Sequence, residues 1–191
     1  VELRRKPYRH LIETYQLEGK RFLEVGCGQG EFLSVLTEFP VQAYGIEWRD
    51  SLVDLAGKAG LCVWKDFAGA SGDELKHPQD IEARPPFDVF LSFNFLEHQP
   101  DPAGMLRAIY DNLTADGMGL ITVPSLEYIL EHDGYYELIR DHLAYYSFDS
   151  LKNLLVRNGF QVLEQEMINR DTISMIVKKT AIPENDGAVK G

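Results

Sequence analysis

The sequence has little cysteine, no long apolar run and a shortage of basic residues. Its 191 residues include two cysteines, Cys27 and Cys62, and these form no C-x-x-C pair. We therefore expect reduced thiols rather than a disulfide framework, with Cys27 a packing residue and not a nucleophile. No apolar run reaches the roughly 20 residues that cross a bilayer, and no signal peptide precedes the first expected strand. These absences predict a cytoplasmic protein of one domain.

The charge balance argues against further classes of partner. The chain carries 19 Lys and Arg against 30 Asp and Glu, a formal net charge of −11, and its basic cluster is Arg4-Arg5-Lys6. A chain this acidic repels polyanions, so neither nucleic acid nor an anionic membrane surface is an expected partner. No set of His, Cys and carboxylate residues has the spacing of metal ligands, so no metal site is expected either.

The hydrophobic pattern alternates between strand-like and helix-like segments along most of the chain. The expected strands are Arg21–Val25, Val41–Ile46, Leu61–Trp64, Phe87–Phe93, Met118–Val123, Phe160–Met167 and Thr172–Lys178. The expected helices are Lys6–Leu17, Glu31–Glu38, Leu52–Lys58, a short one at Gly72–Lys76, Pro102–Leu113 and Ser147–Asn158, with a turn at Ala115–Gly117. This alternation predicts a doubly wound α/β sheet with helices on both faces. The last two strands are joined by too few residues for a parallel crossover, so they are expected to be antiparallel.

Three glycines at alternate positions, Gly26, Gly28 and Gly30, separate the first strand from the following helix. A turn without Cβ atoms lets a ligand approach the backbone closely, which predicts a nucleotide-like cofactor at the carboxyl end of the strand. The dinucleotide fingerprint requires a glycine where this sequence has Glu31, so a nicotinamide cofactor is disfavoured. Because Glu31 and Glu24 place negative charge beside the turn, the expected ligand carries an ammonium or sulfonium group.

This pattern resembles motif I of the class I S-adenosylmethionine (SAM) dependent methyltransferases. The residues that match are Glu24-x-Gly26-x-Gly28-x-Gly30, followed by Glu47 where that family's second strand ends in an acidic residue. The resemblance implies a Rossmann-like seven-stranded sheet of order 3-2-1-4-5-7-6, with strand 7 antiparallel. It implies a methyltransferase domain over residues 1–181 and a flexible tail at 182–191. SAM is the implied cofactor, S-adenosyl-L-homocysteine (SAH) its product, and Glu47 the acceptor of hydrogen bonds from the ribose hydroxyls.

The same resemblance implies further cofactor contacts at the ends of later strands. Trp48 is expected to flank the adenine ring. Asp66 and Phe67 resemble the family's adenine contact, in which the acid accepts from the exocyclic amine and the next backbone N–H donates to a ring nitrogen. Asn94 and Phe95 follow the fourth strand, and we assign them to the methionine part of SAM.

Two histidines mark the expected acceptor side of the site. The run NFLEH at 94–98 resembles the N-x-LEH segment of small-molecule methyltransferases, the ubiquinone type among them, and implies that His98 lies near the methyl group or the acceptor. An insertion at about 124–146 leads into DHLAYYS at 141–147, which resembles the E-H-x-x-Y-F-S segment of enzymes that include sugar C-methyltransferases. A histidine beside a carboxylate can act as a general base. The catalytic candidates are therefore His142 oriented by Asp141, then His98, with Tyr145 beside them.

Plain structural roles remain the alternatives for several of these residues. The alternative for Glu47 is a pair with Arg49 in place of a ribose. The alternative for Trp48 is a packing role, and for His142 it is to fix the insertion by hydrogen bonding.

These features predict a SAM-dependent methyltransferase that methylates carbon or oxygen of a small molecule, in natural-product or sugar biosynthesis. The alternative is a non-catalytic SAM-binding or partner-binding module of a larger protein. The expected partner is the small-molecule substrate. A monomer and a homodimer both stay open, as does the presence of other domains in a longer chain.

Overall fold

The computed structural model describes residues 2–68, 84–134 and 139–182 of the chain. Its strands are β1 (Arg21–Val25), β2 (Gln42–Glu47), β3 (Val63–Lys65), β4 (Phe87–Phe93), β5 (Leu113–Pro124), β6 (Phe160–Ile168) and β7 (Thr172–Lys179). Its helices are α1 (Glu2–Thr14), α2 (Glu31–Leu36), α3 (Asp50–Lys58), α4 (Pro102–Asp111), α5 (Leu126–Glu131) and α6 (Phe148–Arg157), with a 3-10 helix at Leu96–His98. The helix predicted at 72–76, residues 135–138 of the insertion and residues 183–191 of the tail lie outside the described residues.

The strands form one mixed sheet in the order β3-β2-β1-β4-β5-β7-β6. β1 pairs in parallel with both β2 and β4, while β7 runs antiparallel to β5 and β6. The predicted fold class, strand order and antiparallel last strand are therefore confirmed. The chain reverses its direction of travel across the sheet between β1 and β4, and ligands of such sheets bind at the carboxyl ends of the strands at this point.

Side chains that alternate along the strands fill two hydrophobic layers, one on each face of the sheet. In β1, Phe22 packs in the layer covered by α1, α2 and α3, while Leu23 and Val25 belong to the layer covered by α4 and α6. Both layers are fully buried at their centres. The strand ends, and the loops that follow them, are thereby held by a packed core on both sides.

The structure corrects one predicted turn. Ala115–Gly117 lies within β5, where Leu113 pairs with Phe87 and Met118 pairs with Val89. The extra residues between these two pairs form an irregularity of the bulge type, which local turn chemistry does not distinguish from a loop. The insertion also contains a helix that the sequence pattern does not predict, α5, whose first turn is capped by the Ser125 hydroxyl, which accepts from Tyr128 N–H at 3.2 Å.

Helix α1 begins at Glu2 rather than near Lys6, so Pro7 lies inside it. The earlier start has a tertiary cause. The Arg4 guanidinium lies over two aromatic rings, 4.3 Å from the Phe32 centroid and 4.1 Å from the Phe93 centroid, and only 9% of the residue is exposed. This contact holds the first turn of α1 against α2 and the end of β4. Across the described residues, none of the helices has the length and apolar character that a membrane span requires.

Candidate functional site

The glycine turn has the conformation that its sequence predicts. Gly26, Gly28 and Gly30 have φ angles of 73°, 58° and 84°, in the left-handed region that favours glycine. A Cβ built on Gly28 would meet no atom within 4 Å, so this residue faces open space. A Cβ on Gly26 would lie 2.4 Å from the Phe95 ring, so the ring is packed directly against the turn. The turn therefore offers an open backbone surface on one side and is fixed by β4 on the other.

Glu47 lies at the end of β2 and is tied to this turn. Its carboxylate accepts from the backbone N–H of Gly28 at 3.1 Å and from the backbone N–H of Arg49 at 3.0 Å. The Arg49 side chain also donates to it at 3.3 Å. A carboxylate has about four acceptor positions, and these three bonds leave one of them for a hydroxyl of a ligand, with more if the Arg49 side chain moves away. The predicted ribose contact thus lies beside the glycine turn, and the Arg49 pairing is present as well.

The predicted adenine contacts lie on the same side of the sheet, after β2 and β3. Trp48 and Phe67 are large apolar side chains that remain 62% and 40% exposed, with ring centroids 6.1 Å apart in an edge arrangement. The Asp66 carboxylate accepts from the backbone N–H of Phe67 at 2.7 Å. An exposed aromatic pair next to Glu47 is an apolar wall of the kind that nucleotide bases pack against.

Glu24 is a buried carboxylate directly before the first glycine. It is 2% exposed, and its Oε2 atom has no hydrogen-bond partner among the described residues. Burial raises the pKa of Glu24 to about 8, and the charge of Arg4 acts in the opposite direction. A buried carboxylate with an unused oxygen is suited to a cationic ligand. The charge argument from the sequence applies to Glu24, whereas Glu31 is exposed and accepts from Gln29 at 2.8 Å.

Cys27 lies inside the turn and faces the core. A Cβ on Gly45 of β2 would lie 2.7 Å from its Sγ atom, so the thiol is packed against that strand. Burial, with smaller contributions from the charges of Glu24 and Glu47, raises the pKa of the Cys27 thiol well above its usual range. A thiol held protonated in this way is a weak nucleophile.

Asn94 follows β4 in a left-handed conformation with φ 46°. Its backbone N–H donates to the Thr122 carbonyl at 2.9 Å, and its side-chain oxygen accepts from the Thr122 hydroxyl at 2.8 Å. These two bonds to β5 fix the direction in which the chain leaves the sheet. Phe95 then packs on Gly26, and the 3-10 helix begins at Leu96.

Glu97, His98 and His142 form a cluster at the end of this 3-10 helix, which we call the EHH cluster. Each offers one potential ligand atom, and these atoms all lie within 4.8 Å of one another. The two imidazole rings are 4.9 Å apart in an edge arrangement. Glu97 is 1% exposed, and neither of its carboxylate oxygens has a hydrogen-bond partner among the described residues. Burial raises the pKa of Glu97 to about 7, with a smaller lowering effect from His98.

The insertion is anchored to this cluster through its backbone. Leu143 N–H and Ala144 N–H both donate to the Glu97 carbonyl, at 2.8 and 3.2 Å. His98 Nδ1 lies 2.7 Å from the carbonyl oxygen of Asp141. Because a carbonyl oxygen can only accept, Nδ1 carries the proton and donates. These three bonds bring His142 to His98, although the two residues are far apart in sequence.

Asp141 and Tyr145, the other two catalytic candidates of this segment, make different contacts in the structure. The Asp141 side chain is exposed, and it is the backbone carbonyl that bonds to His98. The Tyr145 ring lies 5.7 Å from the His142 ring, and its hydroxyl donates to the Ile139 carbonyl at 3.3 Å. Asp141 thus contacts His98 through its main chain, and the orienting role of its carboxylate toward His142 stays a prediction.

Sequence reasoning missed two residues of the site. Glu97 belongs to the LEH segment at 96–98. Its burial, without a hydrogen-bond partner among the described residues, depends on the 3-10 helix that turns the side chain inward. In the sequence Arg4 is part of a basic cluster and nothing marks it as a site residue. Its position near Glu24 depends on how α1 packs. The prediction of no metal site rests on the spacing of residues along the chain. That spacing does not reveal the EHH cluster, because His142 is distant in sequence from Glu97 and His98.

The architecture and the turn define a class of protein: the doubly wound α/β folds with a glycine-rich turn after the first strand. A SAM-dependent methyltransferase structure from Clostridium acetobutylicum superposes with a TM-score of 0.70 at 11% identity, covering 94% of this chain and 92% of that one. Magnesium protoporphyrin IX methyltransferase from Synechocystis PCC 6803 with bound SAH gives 0.69 at 12% identity, covering 94% and 83%. At such identities the likeness shows the fold alone.

Residues 2–165 match a family model described as a methyltransferase domain, and the chain belongs to this family. The family, and SAM as its cofactor, are those that the glycine motif implies. The chain is also 32% identical over 110 residues to the ubiquinone biosynthesis O-methyltransferase of Marinobacter nauticus. That alignment covers 56% of this chain and 45% of the relative, so the chain matches less than half of that enzyme's length.

Proposed function

We propose that this chain is a SAM-dependent methyltransferase that transfers a methyl group to an oxygen of a small-molecule acceptor. The sulfonium C–S bond breaks as the O–CH3 bond forms, the acceptor hydroxyl loses its proton, and SAH leaves as the neutral thioether. The observation that carries the proposal is the Phe95 contact. This side chain packs on the glycine turn at Gly26 and is followed at once by the EHH cluster.

The residues of the turn fit SAM. The Gly28 backbone faces open space, and the Glu47 carboxylate lies 3.1 Å from its nitrogen, where it can accept from ribose hydroxyls. Glu24 is a buried carboxyl that is mostly protonated near pH 7 in the unliganded protein, and the cationic methionine part would favour its ionised form. Trp48 and Phe67 supply an apolar wall for adenine. We propose these residues, with Gly26, Gly30, Asp66, Asn94 and Phe95, as the cofactor site.

The acceptor side is assigned to His98, His142 and Tyr145, with Glu97 behind them. Imidazole and carboxylate groups favour proton loss from an acceptor hydroxyl. The largest contribution to rate in such a transfer is positioning of the nucleophile about 3 Å from the methyl carbon. Oxygen is favoured over carbon because the similar stretch of the Marinobacter nauticus relative belongs to a protein named as an O-methyltransferase. A small acceptor is favoured over nucleic acid because a chain with a net charge of −11 repels polyanions.

The first test is calorimetric titration of the protein with SAM and with SAH. Micromolar binding of both ligands, without binding of NAD, supports the cofactor assignment. Absence of binding for both SAM and SAH overturns it.

The second test is methyl transfer to a panel of phenolic, carboxylic and keto-sugar acceptors, with the product identified by mass spectrometry. We expect a methyl ether or ester and equimolar SAH. His142→Ala is expected to lower kcat at least tenfold, whereas His132→Ala is the matched control, an exposed histidine of the same insertion. SAM binding with no turnover on any acceptor would favour the non-catalytic module instead.

A further inference from the structure

We propose that the EHH cluster is a binding site for one divalent transition-metal ion, which binds and activates the oxygen of the methyl acceptor. The inference rests on the proposed function for the role of the ion, while the site itself stands on the geometry of Glu97, His98 and His142.

The donor set has the chemistry of a metal site. Two imidazole nitrogens and one carboxylate oxygen are the ligands found in catalytic zinc sites and in two-histidine, one-carboxylate iron sites. Such sites leave at least one coordination position open for water or substrate. A methyl acceptor with a hydroxyl group can occupy that position.

The distances fit a common cation. Ligand bonds to Zn²⁺ are about 2.0–2.2 Å long, so two ligands of one ion are separated by roughly 3 to 4 Å. Glu97 Oε1 and His98 Nε2 are 3.9 Å apart, and all three ligand atoms fall within 4.8 Å. A movement of less than about 1 Å by the partly exposed His142 side chain therefore closes the set.

The tautomer of His98 is already the one that a metal requires. Its Nδ1–H donates to the Asp141 carbonyl at 2.7 Å, so the lone pair of a neutral ring is on Nε2, the nitrogen on the Glu97 side. Metal-bound histidines usually donate their other ring N–H in this way, which fixes the ring orientation.

Glu97 supplies an independent observation that points to a cationic ligand at this place. The residue is 1% exposed, and both carboxylate oxygens lack a hydrogen-bond partner among the described residues. A buried carboxylate without donors costs free energy unless it takes up a proton or a cation binds to it. The backbone around it is nevertheless ordered by the bonds that Leu143 and Ala144 make to its carbonyl. The surroundings are thus built to hold the carboxylate in place and leave its oxygens available.

The role of the ion follows from its open position. A hydroxyl bound to a divalent ion loses its proton to water more readily, because the cation stabilises the resulting oxyanion. When the ion is bound, His98 and His142 hold it, and the ion takes over from the imidazole groups the task of promoting proton loss from the acceptor hydroxyl. The proton is released to solvent, and no oxidant or reductant is needed.

The test uses EDTA-treated, dialysed protein titrated with Co²⁺ in the absence of SAM. We expect one Co²⁺ per chain, with visible d–d bands that one equivalent of Zn²⁺ abolishes. Glu97→Gln and His142→Ala are expected to weaken Co²⁺ binding at least tenfold, and His132→Ala is expected to bind like the wild type. Absence of stoichiometric Co²⁺, Zn²⁺ and Mn²⁺ binding up to 1 mM on the wild type (about 4 kcal/mol) overturns the site, and so does unchanged affinity in both cluster variants.

A second readout uses the wild-type protein alone. In ¹H–¹⁵N spectra of the histidine rings of the wild type, Zn²⁺ should shift the signals of His98 and His142 and leave those of His10 and His132 in place. Signals of His98 and His142 that do not move contradict the proposal.

SAM binding to the metal-free protein separates the two proposals. Metal binding without SAM binding supports the site and overturns the proposed function. SAM binding and full methyl transfer in protein shown to be metal-free, with no Co²⁺ uptake, overturns the site and leaves the proposed function standing.

Discussion

The backbone N–H of Gly28 donates to the Glu47 carboxylate at 3.1 Å, and this bond joins the turn after β1 to the end of β2. The two strands are parallel neighbours, with Val25 beside Ile46. Their carboxyl ends therefore meet at the same edge of the sheet. A ligand that covers the turn must also contact Glu47.

Replacing Glu47 by alanine is expected to weaken SAM binding roughly tenfold or more, about 1.4 kcal/mol, because the acceptor of the ribose hydroxyls is lost. Calorimetric titration with SAM and SAH measures the change. Glu166→Ala is the matched control, since Glu166 is an exposed acid on β6 at the far edge of the sheet. Equal losses of affinity in both variants would show that only net charge matters.

Gly26 and Gly28 differ in what surrounds them, so their alanine variants should differ in stability. Both have positive φ angles, and an alanine in that region costs about 1–2 kcal/mol. Gly26→Ala additionally drives its methyl group into the Phe95 ring, 2.4 Å from the nearest carbon, which adds roughly 1–3 kcal/mol. Urea unfolding without cofactor should show the larger loss for Gly26→Ala. Similar losses in the two variants would mean that the Phe95 ring moves aside freely.

Gly28→Ala, by contrast, is expected to remain folded but to bind SAM more weakly, because its methyl group points into the open space at the turn.

The free energy of unfolding should fall as the pH rises, and Glu24 is one cause. Its carboxyl ionises near 4.5 in the unfolded chain, but burial raises its pKa to about 8 in the folded protein. The folded state therefore holds the Glu24 proton between these two pH values, whereas the unfolded chain releases it. The contribution of Glu24 to the free energy of unfolding is fully present below about pH 4.5 and is lost as the pH rises toward 8. The slope from one such group is at most about 1.4 kcal/mol per pH unit.

Glu24→Gln should flatten this slope, measured by urea unfolding between pH 5 and 8 in metal-free buffer. Glu97, with its pKa raised to about 7, is present in both proteins, so the difference isolates Glu24. Glu31→Gln is the control, an exposed carboxylate at the same turn, and is expected to keep the wild-type slope. A Glu24→Gln slope identical to the wild type contradicts the raised pKa.

Arg4→Ala is expected to destabilise the protein by about 1–3 kcal/mol, because the guanidinium is buried between two aromatic rings. Thermal unfolding and the helical circular dichroism signal measure the loss. Arg9→Ala serves as the comparison, since Arg9 is exposed in the same helix with its Nε atom 4.0 Å from the Glu13 carboxylate, and its effect should stay within about 0.5 kcal/mol. A loss in Arg4→Ala no larger than in Arg9→Ala would show that α1 docks without the stacking contact.

The sequence alone determined the class of fold and predicted the place of the cofactor. Alternation of strand and helix patterns, a four-residue link between the last two predicted strands and the three glycines after the first one are local signals. Their physical meaning does not depend on distant residues. For the same reason the limits of β1 and β4 are those that the pattern predicts.

Only the tertiary structure decided the features that depend on contacts between segments distant in sequence. Ala115–Gly117 looks like a turn because its residues favour turns, and pairing with β4 draws it into β5. Arg4 belongs to a basic run in the sequence, but the rings of Phe32 and Phe93 bury it. The EHH cluster exists because backbone bonds from Leu143 and Ala144 to Glu97 bring His142 to His98. Such bonds cannot be predicted from the spacing of residues along the chain. They form only when the insertion folds back over the sheet.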